Sequence, residues 1–262
     1  MRTYHQLTDP DRSGLLDQIG AQRRRVAERL AGVKRIVAVM SGKGGVGKSY
    51  VTAHLARALA RGGRATGVLD ADLNGPTIPG LLQIAPNAPL PPPAVGLDGV
   101  KCISMGQFLA EGAPLAFTGP AAESFVWRGA MEASALREFL GDVEWGKLDV
   151  LLLDLPPGMQ RYIELCDILG NPPPVLTVTI PTPESRDAVR RAMRAAVERG
   201  SELLGIVENM VGGELHGSAA NELAAEFGVP VLARVPWHPS TDVWNALMAR
   251  VSDAPRTTHD AR

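Results

Sequence analysis

Two cysteines, Cys102 and Cys166, are all that the 262 residues hold, which excludes a disulfide framework. Charge of one sign is also missing. Lys plus Arg number 27 and Asp plus Glu 28, for a net charge of −1, so no bulk field draws the chain to nucleic acid or to an acidic membrane. Apolar runs stop well short of the roughly 20 residues that span a bilayer. Residues 1–12 are mostly polar and lack the apolar core of a secretory leader. The expectation is a soluble cytoplasmic protein with no nucleic-acid and no membrane partner. A chain of this length makes one large α/β domain, with or without a small appendage, and buries roughly 70–75% of its extended surface.

What is present centres on residues 41–49, Ser-Gly-Lys-Gly-Gly-Val-Gly-Lys-Ser. An apolar β-branched run (35–40) precedes them and an Ala/Leu-rich segment of helical period (51–60) follows. Gly42, four residues, then Gly47-Lys48-Ser49 is the Walker A spacing, in the strand–loop–helix context that a phosphate-binding loop requires. Glycines let the backbone curl until consecutive N–H groups reach phosphate oxygens at a helix N-terminus. Gly42, Lys43, Gly44, Gly45, Val46, Gly47, Lys48, Ser49 and Tyr50 are therefore the candidate phosphate contacts. Lys48 is expected to neutralise the β- and γ-phosphates and Ser49 to ligate Mg²⁺.

Downstream, residues 65–69 read as a buried strand that ends in Asp70-Ala71-Asp72. Carboxylates at the carboxyl end of a parallel strand sit on the ligand side of an α/β sheet. Two residues apart on extended chain, Asp70 and Asp72 are expected to point the same way, toward Mg²⁺ or a water near the γ-phosphate. The turn-rich segment 74–79 suits a mobile switch, and the five prolines within 84–98 suit a surface loop. Residues 148–154 form a second buried strand closing on Asp154, the Walker B pattern that meets Mg²⁺, and the Gly158 N–H is placed to sense a γ-phosphate. Three β-then-α units follow (strands 174–180, 203–207 and 230–235; helices 184–198, 219–227 and 241–251), implying a parallel sheet with right-handed crossovers and helices on both faces. Cys102 and Cys166 read as buried apolar residues. A helix at 14–30 carries Arg23-Arg24-Arg25 on a solvated face and is expected to pack on the sheet edge. The divisions are an arm and surface helix (1–32), a P-loop domain (33–252) and a polar tail (253–262).

Taken together these blocks resemble the Mrp/ApbC branch of the deviant Walker A ATPases, relatives of MinD and ParA, from about Val33 to Val251. The resemblance rests on Lys43 within the glycine loop, the run 69–79 (Leu-Asp-Ala-Asp-Leu-Asn-Gly-Pro-Thr-Ile-Pro), Trp127-Arg128-Gly129, Asp154-Leu155-Pro156-Pro157-Gly158 and Gly205-Ile206-Val207-Glu208-Asn209-Met210. It implies a homodimer with ATP sandwiched at the interface, in which Lys43 reaches the partner's phosphates as an arginine finger does. It implies further that Asp72 orients the attacking water, that Asn209 reads adenine, and that the loop 236–239, with Pro236 and His238, forms the other wall. The implied activity is slow, Mg-dependent ATP hydrolysis in iron–sulfur cluster or metallocofactor assembly.

Several residues depart from that pattern. Members of this branch hold an iron–sulfur cluster at the dimer axis through a Cys-x-x-Cys just after the Glu-Asn-Met strand, whereas residues 211–217 are short and hold no cysteine. Glu214 and His216 read there as a solvated turn rather than a metal pair. Met159-Gln160-Arg161 replaces the branch's Thr-Gly-Asp, and Tyr50 replaces a small hydroxyl residue. Two functions follow. One is an Mrp-type ATPase for iron–sulfur or metal-cofactor maturation, acting through a cluster held elsewhere or as a cysteine-free partner subunit, with an Fe–S or metalloprotein client or a cysteine-bearing paralogue as partner. The other is a MinD- or ParA-like positioning switch without metal cargo.

Overall fold

The computed structural model describes residues 15–72, 75–85, 92–104, 134–213, 215 and 217–253. The expected arm, the block 127–129, Asn74 of the switch segment, Pro86, Pro89 and Pro91, Glu214, His216 and the tail from residue 254 lie outside the described residues.

Strands β1 (Ile36–Ser41), β2 (Thr66–Asp70), β3 (Ala94–Val95), β4 (Lys101–Ser104), β5 (Val150–Asp154), β6 (Val175–Thr179), β7 (Leu203–Val211) and β8 (Val231–Pro236) form one sheet. Its order is β3-β4-β2-β5-β1-β6-β7-β8, parallel except where β3 runs against β4. The loop-bearing β1 is central, paired with β5 through Val39↔Asp154 and with β6 through Ser41↔Val178. Because side chains alternate along a strand, β1 sends Ile36, Ala38 and Met40 to one face and Val37 and Val39 to the other. Every residue of β1, β2 and β5 is buried, which is why these strands read as unbroken apolar runs.

Two helical layers cover the sheet. One face carries α2 (Lys48–Arg61), α3 (Ile78–Leu81) and α8 (Thr241–Asp253). The other carries α1 (Leu15–Leu30), α4 (134–141), α5 (Gln160–Leu169) and α6 (Pro183–Glu198), while α7 (Ala219–Phe227) packs beside α6 over β7. Leu55 and Leu59 of α2 are fully buried, each contributing roughly 2 kcal/mol. The helix ends at Gly62, followed by Gly63 at φ 78°.

Two placements differ from expectation. Helix α1 does not lie on a sheet edge, since β3 and β8 are the edges; it packs on α5, and its buried Val26 and Leu30 join a cluster with Leu136, Phe139 and Leu140. Its arginines are exposed as expected, Arg25 meeting Asp142 at 3.2 Å. The stretch expected as surface loop between 84 and 98 also contributes β3, because Ala94 and Val95 pair with Cys102 and Lys101.

Candidate functional site

At the carboxyl end of β1 the chain turns through 42–47 into α2. Gly42 has no room for a side chain, since a Cβ would stand 2.2 Å from the Ala188 carbonyl carbon of α6. Gly47 is constrained twice, by a φ of 76° and by the Asn209 amide nitrogen, which would lie 2.2 Å from a Cβ. The loop is thus gripped by α6 on one side and by β7 on the other. Asn209, buried, donates from Nδ2 to the Val46 carbonyl at 2.9 Å and leaves its own carbonyl oxygen as an acceptor.

Lys48 and Ser49 open α2 and face Asp154 at the end of β5. The Lys48 ammonium and the Ser49 hydroxyl both donate to Asp154 Oδ2, each at 2.6 Å. Thr52, one helical turn on, donates to Oδ1 at 2.7 Å. Asp154 is wholly buried and Lys48 is 6% exposed, so each charge is compensated by the other where water cannot do it. A hydroxyl and a carboxylate this close form the hard oxygen pair that Mg²⁺ prefers, and the site fits that ion.

Asp70, in register beside Asp154, spends its carboxylate differently. Its Oδ1 accepts from the Asp72 N–H at 3.2 Å, and its Oδ2 accepts from the Ile78 N–H at 3.2 Å and the Ser104 hydroxyl at 3.1 Å. Burial, then the neighbouring Asp154 charge, raise its pKa to about 7. Asp70 and Asp72 do not point the same way: β2 ends at Asp70 and the chain folds back on that carboxylate, leaving Asp72 half-buried at a cavity. Asp72 Oδ1 accepts from the Gly75 N–H at 3.2 Å.

That cavity, of about 630 Å³, is lined by residues 43–50 with Ser41, and by Asp72, Thr77, Leu81 and Pro157 among others. Lys43 and Tyr50 both contribute to its wall. The Tyr50 ring lies 4.1 Å from that of His54, which lies 4.9 Å from Trp244 of α8. Burial lowers the His54 pKa below its ordinary value. The Gly158 N–H is donated to the Ser41 carbonyl at 3.3 Å. Pro236 and His238 are not among the lining residues, although Pro236 pairs with Val211 at the end of β7. Thr52, Ser104 and Leu81 escape a reading by motif. Thr52 alone carries a signal, its spacing of one turn from Lys48.

A model of the NUBPL iron-transfer P-loop NTPases, within the ParA group, matches residues 32–246. The chain belongs to that family. Among its relatives is an iron–sulfur cluster carrier protein of Saccharolobus solfataricus, 34% identical over an alignment of 243 residues that covers 85% of this chain and 78% of that one. A nucleotide-binding protein from Archaeoglobus fulgidus in complex with ADP is a structural relative at TM-score 0.65 and 31% identity, covering 89% of this chain and 93% of its own. MinD of Pyrococcus horikoshii, complexed with Mg-ADP, shares the fold at TM-score 0.61 and 20% identity over 84% of this chain and 96% of its own.

Both thiols lie inside the fold. Cys102 sits within β4 at 0% exposure and Cys166 within α5 at 7%. Burial pushes both thiols above their ordinary pKa. A cluster bridging two copies requires accessible thiolates, and these two do not fit it. No helix among the described residues is long and apolar enough to cross a membrane.

Proposed function

We propose that this chain is an ATP-hydrolysing member of its family that works in iron–sulfur cluster assembly without holding the cluster on its own thiols. The observation that carries the nucleotide half is the meeting of Lys48, Ser49 and Asp154 at the mouth of a loop whose curl Gly42 and Gly47 permit. Residues 42–47 would wrap the phosphates with main-chain N–H groups, and Lys48 would leave Asp154 to neutralise them. Ser49 and Asp154 would hold Mg²⁺, which when bound lowers the charge on the phosphate oxygens. Asp70 would act from behind, its two oxygens fixing the start of the 72–78 turn.

Asp72, already at the cavity, is proposed to orient the attacking water. The free carbonyl of Asn209 matches the exocyclic amine of adenine, with Pro236 and His238 closing over the base. Lys43 is proposed to reach the phosphates of a second copy, which makes turnover conditional on a homodimer. The burial of both thiols supports a division of labour, with cluster ligands supplied by a client or a cysteine-bearing partner chain.

Calorimetry with ATP and Mg²⁺ tests the nucleotide half: saturable heat is expected, and its absence overturns the reading. Lys43→Ala should keep that heat and lose turnover that depends on protein concentration; unchanged turnover removes the trans role. Anaerobic reconstitution with iron and sulfide should give no visible absorbance band on the purified chain. A stable band at one cluster per dimer would refute the division of labour.

A further inference from the structure

The second oxygen of Asp154 has an owner that the phosphate-loop chemistry does not call for. Among the described residues, three donors converge on this carboxylate: Lys48 and Ser49 on Oδ2, and Thr52 on Oδ1 at 2.7 Å. Both Thr52 and Asp154 are wholly buried, so no water replaces a lost partner. The Thr52 hydroxyl also lies 3.0 Å from the Lys48 carbonyl, its own helix neighbour one turn back. A hydroxyl has one proton, and both neighbours are acceptors. The nearer, ionised oxygen takes it, because a charge-assisted bond is the stronger of the two.

From this geometry we propose that Thr52 is a positioning residue for the metal-binding carboxylate. The inference rests on the nucleotide reading above and deepens it. The backbone of Asp154 is fixed, since β5 is laddered to β1 and β2 at that residue. What remains free is rotation of the carboxyl group, which exchanges its two oxygens. When phosphates draw off Lys48 and a cation draws off the Ser49 hydroxyl, two of the three restraints on that rotation leave. The Thr52 bond is the one that stays. It holds Oδ1 inward, so that Oδ2 keeps facing Ser49 and the cation. Because Thr52 rides on α2, which also carries the glycine loop, the bond keeps strand and loop in one geometry through the nucleotide cycle.

A hydroxyl that merely satisfied its own helix carbonyl would predict something else. Its removal would change stability and leave the response to Mg²⁺ untouched. The test therefore compares wild type, Thr52→Val (close to isosteric) and Thr52→Ser. ATP affinity is measured by calorimetry in chelator and again in Mg²⁺, with thermal melting as the check on folding. Thr52→Val is expected to bind ATP in chelator within about two-fold of wild type. The tightening that Mg²⁺ produces should fall by about five- to ten-fold, the scale of one buried hydrogen bond, and return in Thr52→Ser. Equal Mg²⁺ tightening in wild type and Thr52→Val overturns the positioning role while the nucleotide reading stands. A wild type that binds no ATP overturns both, a different pattern. A double-mutant cycle of Thr52→Val with Asp154→Ala, which removes both carboxylate oxygens, in the nucleotide-free protein supplies an independent arm. Coupled losses in melting temperature are expected, and strictly additive ones overturn the proposal.

Discussion

Asp70 and Asp154 stand side by side at the carboxyl ends of neighbouring strands, partners in register and both closed off from water. They nevertheless have different chemistry. Asp154 meets an ammonium and two hydroxyls, all carried by α2, and that set suits an ionised group. Asp70 meets two main-chain N–H groups and a serine, and burial first, then the Asp154 charge, raise its pKa to about 7. Strand-end position delivers a carboxylate to the ligand side, and the helix that follows decides what it does there. In this chain one of the pair faces the site and the other ties the turn that builds it.

The largest effect should come from removing the cation of the first set. Lys48→Ala is expected to weaken ATP binding by at least about 100-fold in a titration. The nucleotide-free protein should also lose about 3–5 kcal/mol, read by denaturant melting, because a buried carboxylate is left unpaired. Asp154→Asn against Asp70→Asn is the direct way to break the comparison. The first should abolish most of the Mg²⁺ tightening, about ten-fold or more, and the second should keep it within about three-fold. Equal losses would mean that the two carboxylates share the metal.

Acidity sharpens the comparison further. The folded pKa of Asp70 lies above its unfolded value of 3.8, so the folded chain holds a proton that the unfolded chain has released. Stability from this group is full below about pH 4 and falls as pH rises to about 7, by on the order of 1–4 kcal/mol. Asp70→Asn should flatten that slope in melts of the nucleotide-free protein. Asp149, just before β5, has the opposite sign. The Lys34 ammonium at 2.7 Å and the Ala65 N–H at 2.8 Å hold its pKa below the ordinary value. Its contribution is present above about pH 4 and is lost as pH falls through the lowered value. Asp149→Asn should cost no more than about 1 kcal/mol at neutral pH, fading on acidification, since Lys34 is exposed.

Much of this was legible in order along the chain. The loop, its flanking strand and helix, Asp154 and the later β-then-α units follow from spacing and apolar runs, and α7 occupies the 219–227 expected of it. Asp70 was legible as a strand-end acid, but its destination was not. Its partners include Ser104, 34 residues away on β4, and the first N–H of a four-residue helix that no periodicity announces. The same limit applies to Gly42. Its spacing marks a phosphate loop, while the steric demand comes from the α6 backbone at Ala188.

Sequence alone determined that this chain makes a parallel α/β sheet with a glycine loop at one strand end and acids at two others. Those features are local, set by propensity, period and the backbone freedom of glycine. Which acid meets the Lys48 ammonium, which side of the loop β7 closes, and whether a thiol can reach a cluster were decided only in three dimensions. Each depends on what residues far along the chain bring into a space from which water is excluded, where one donor or one neighbouring charge outweighs any intrinsic tendency of the side chain.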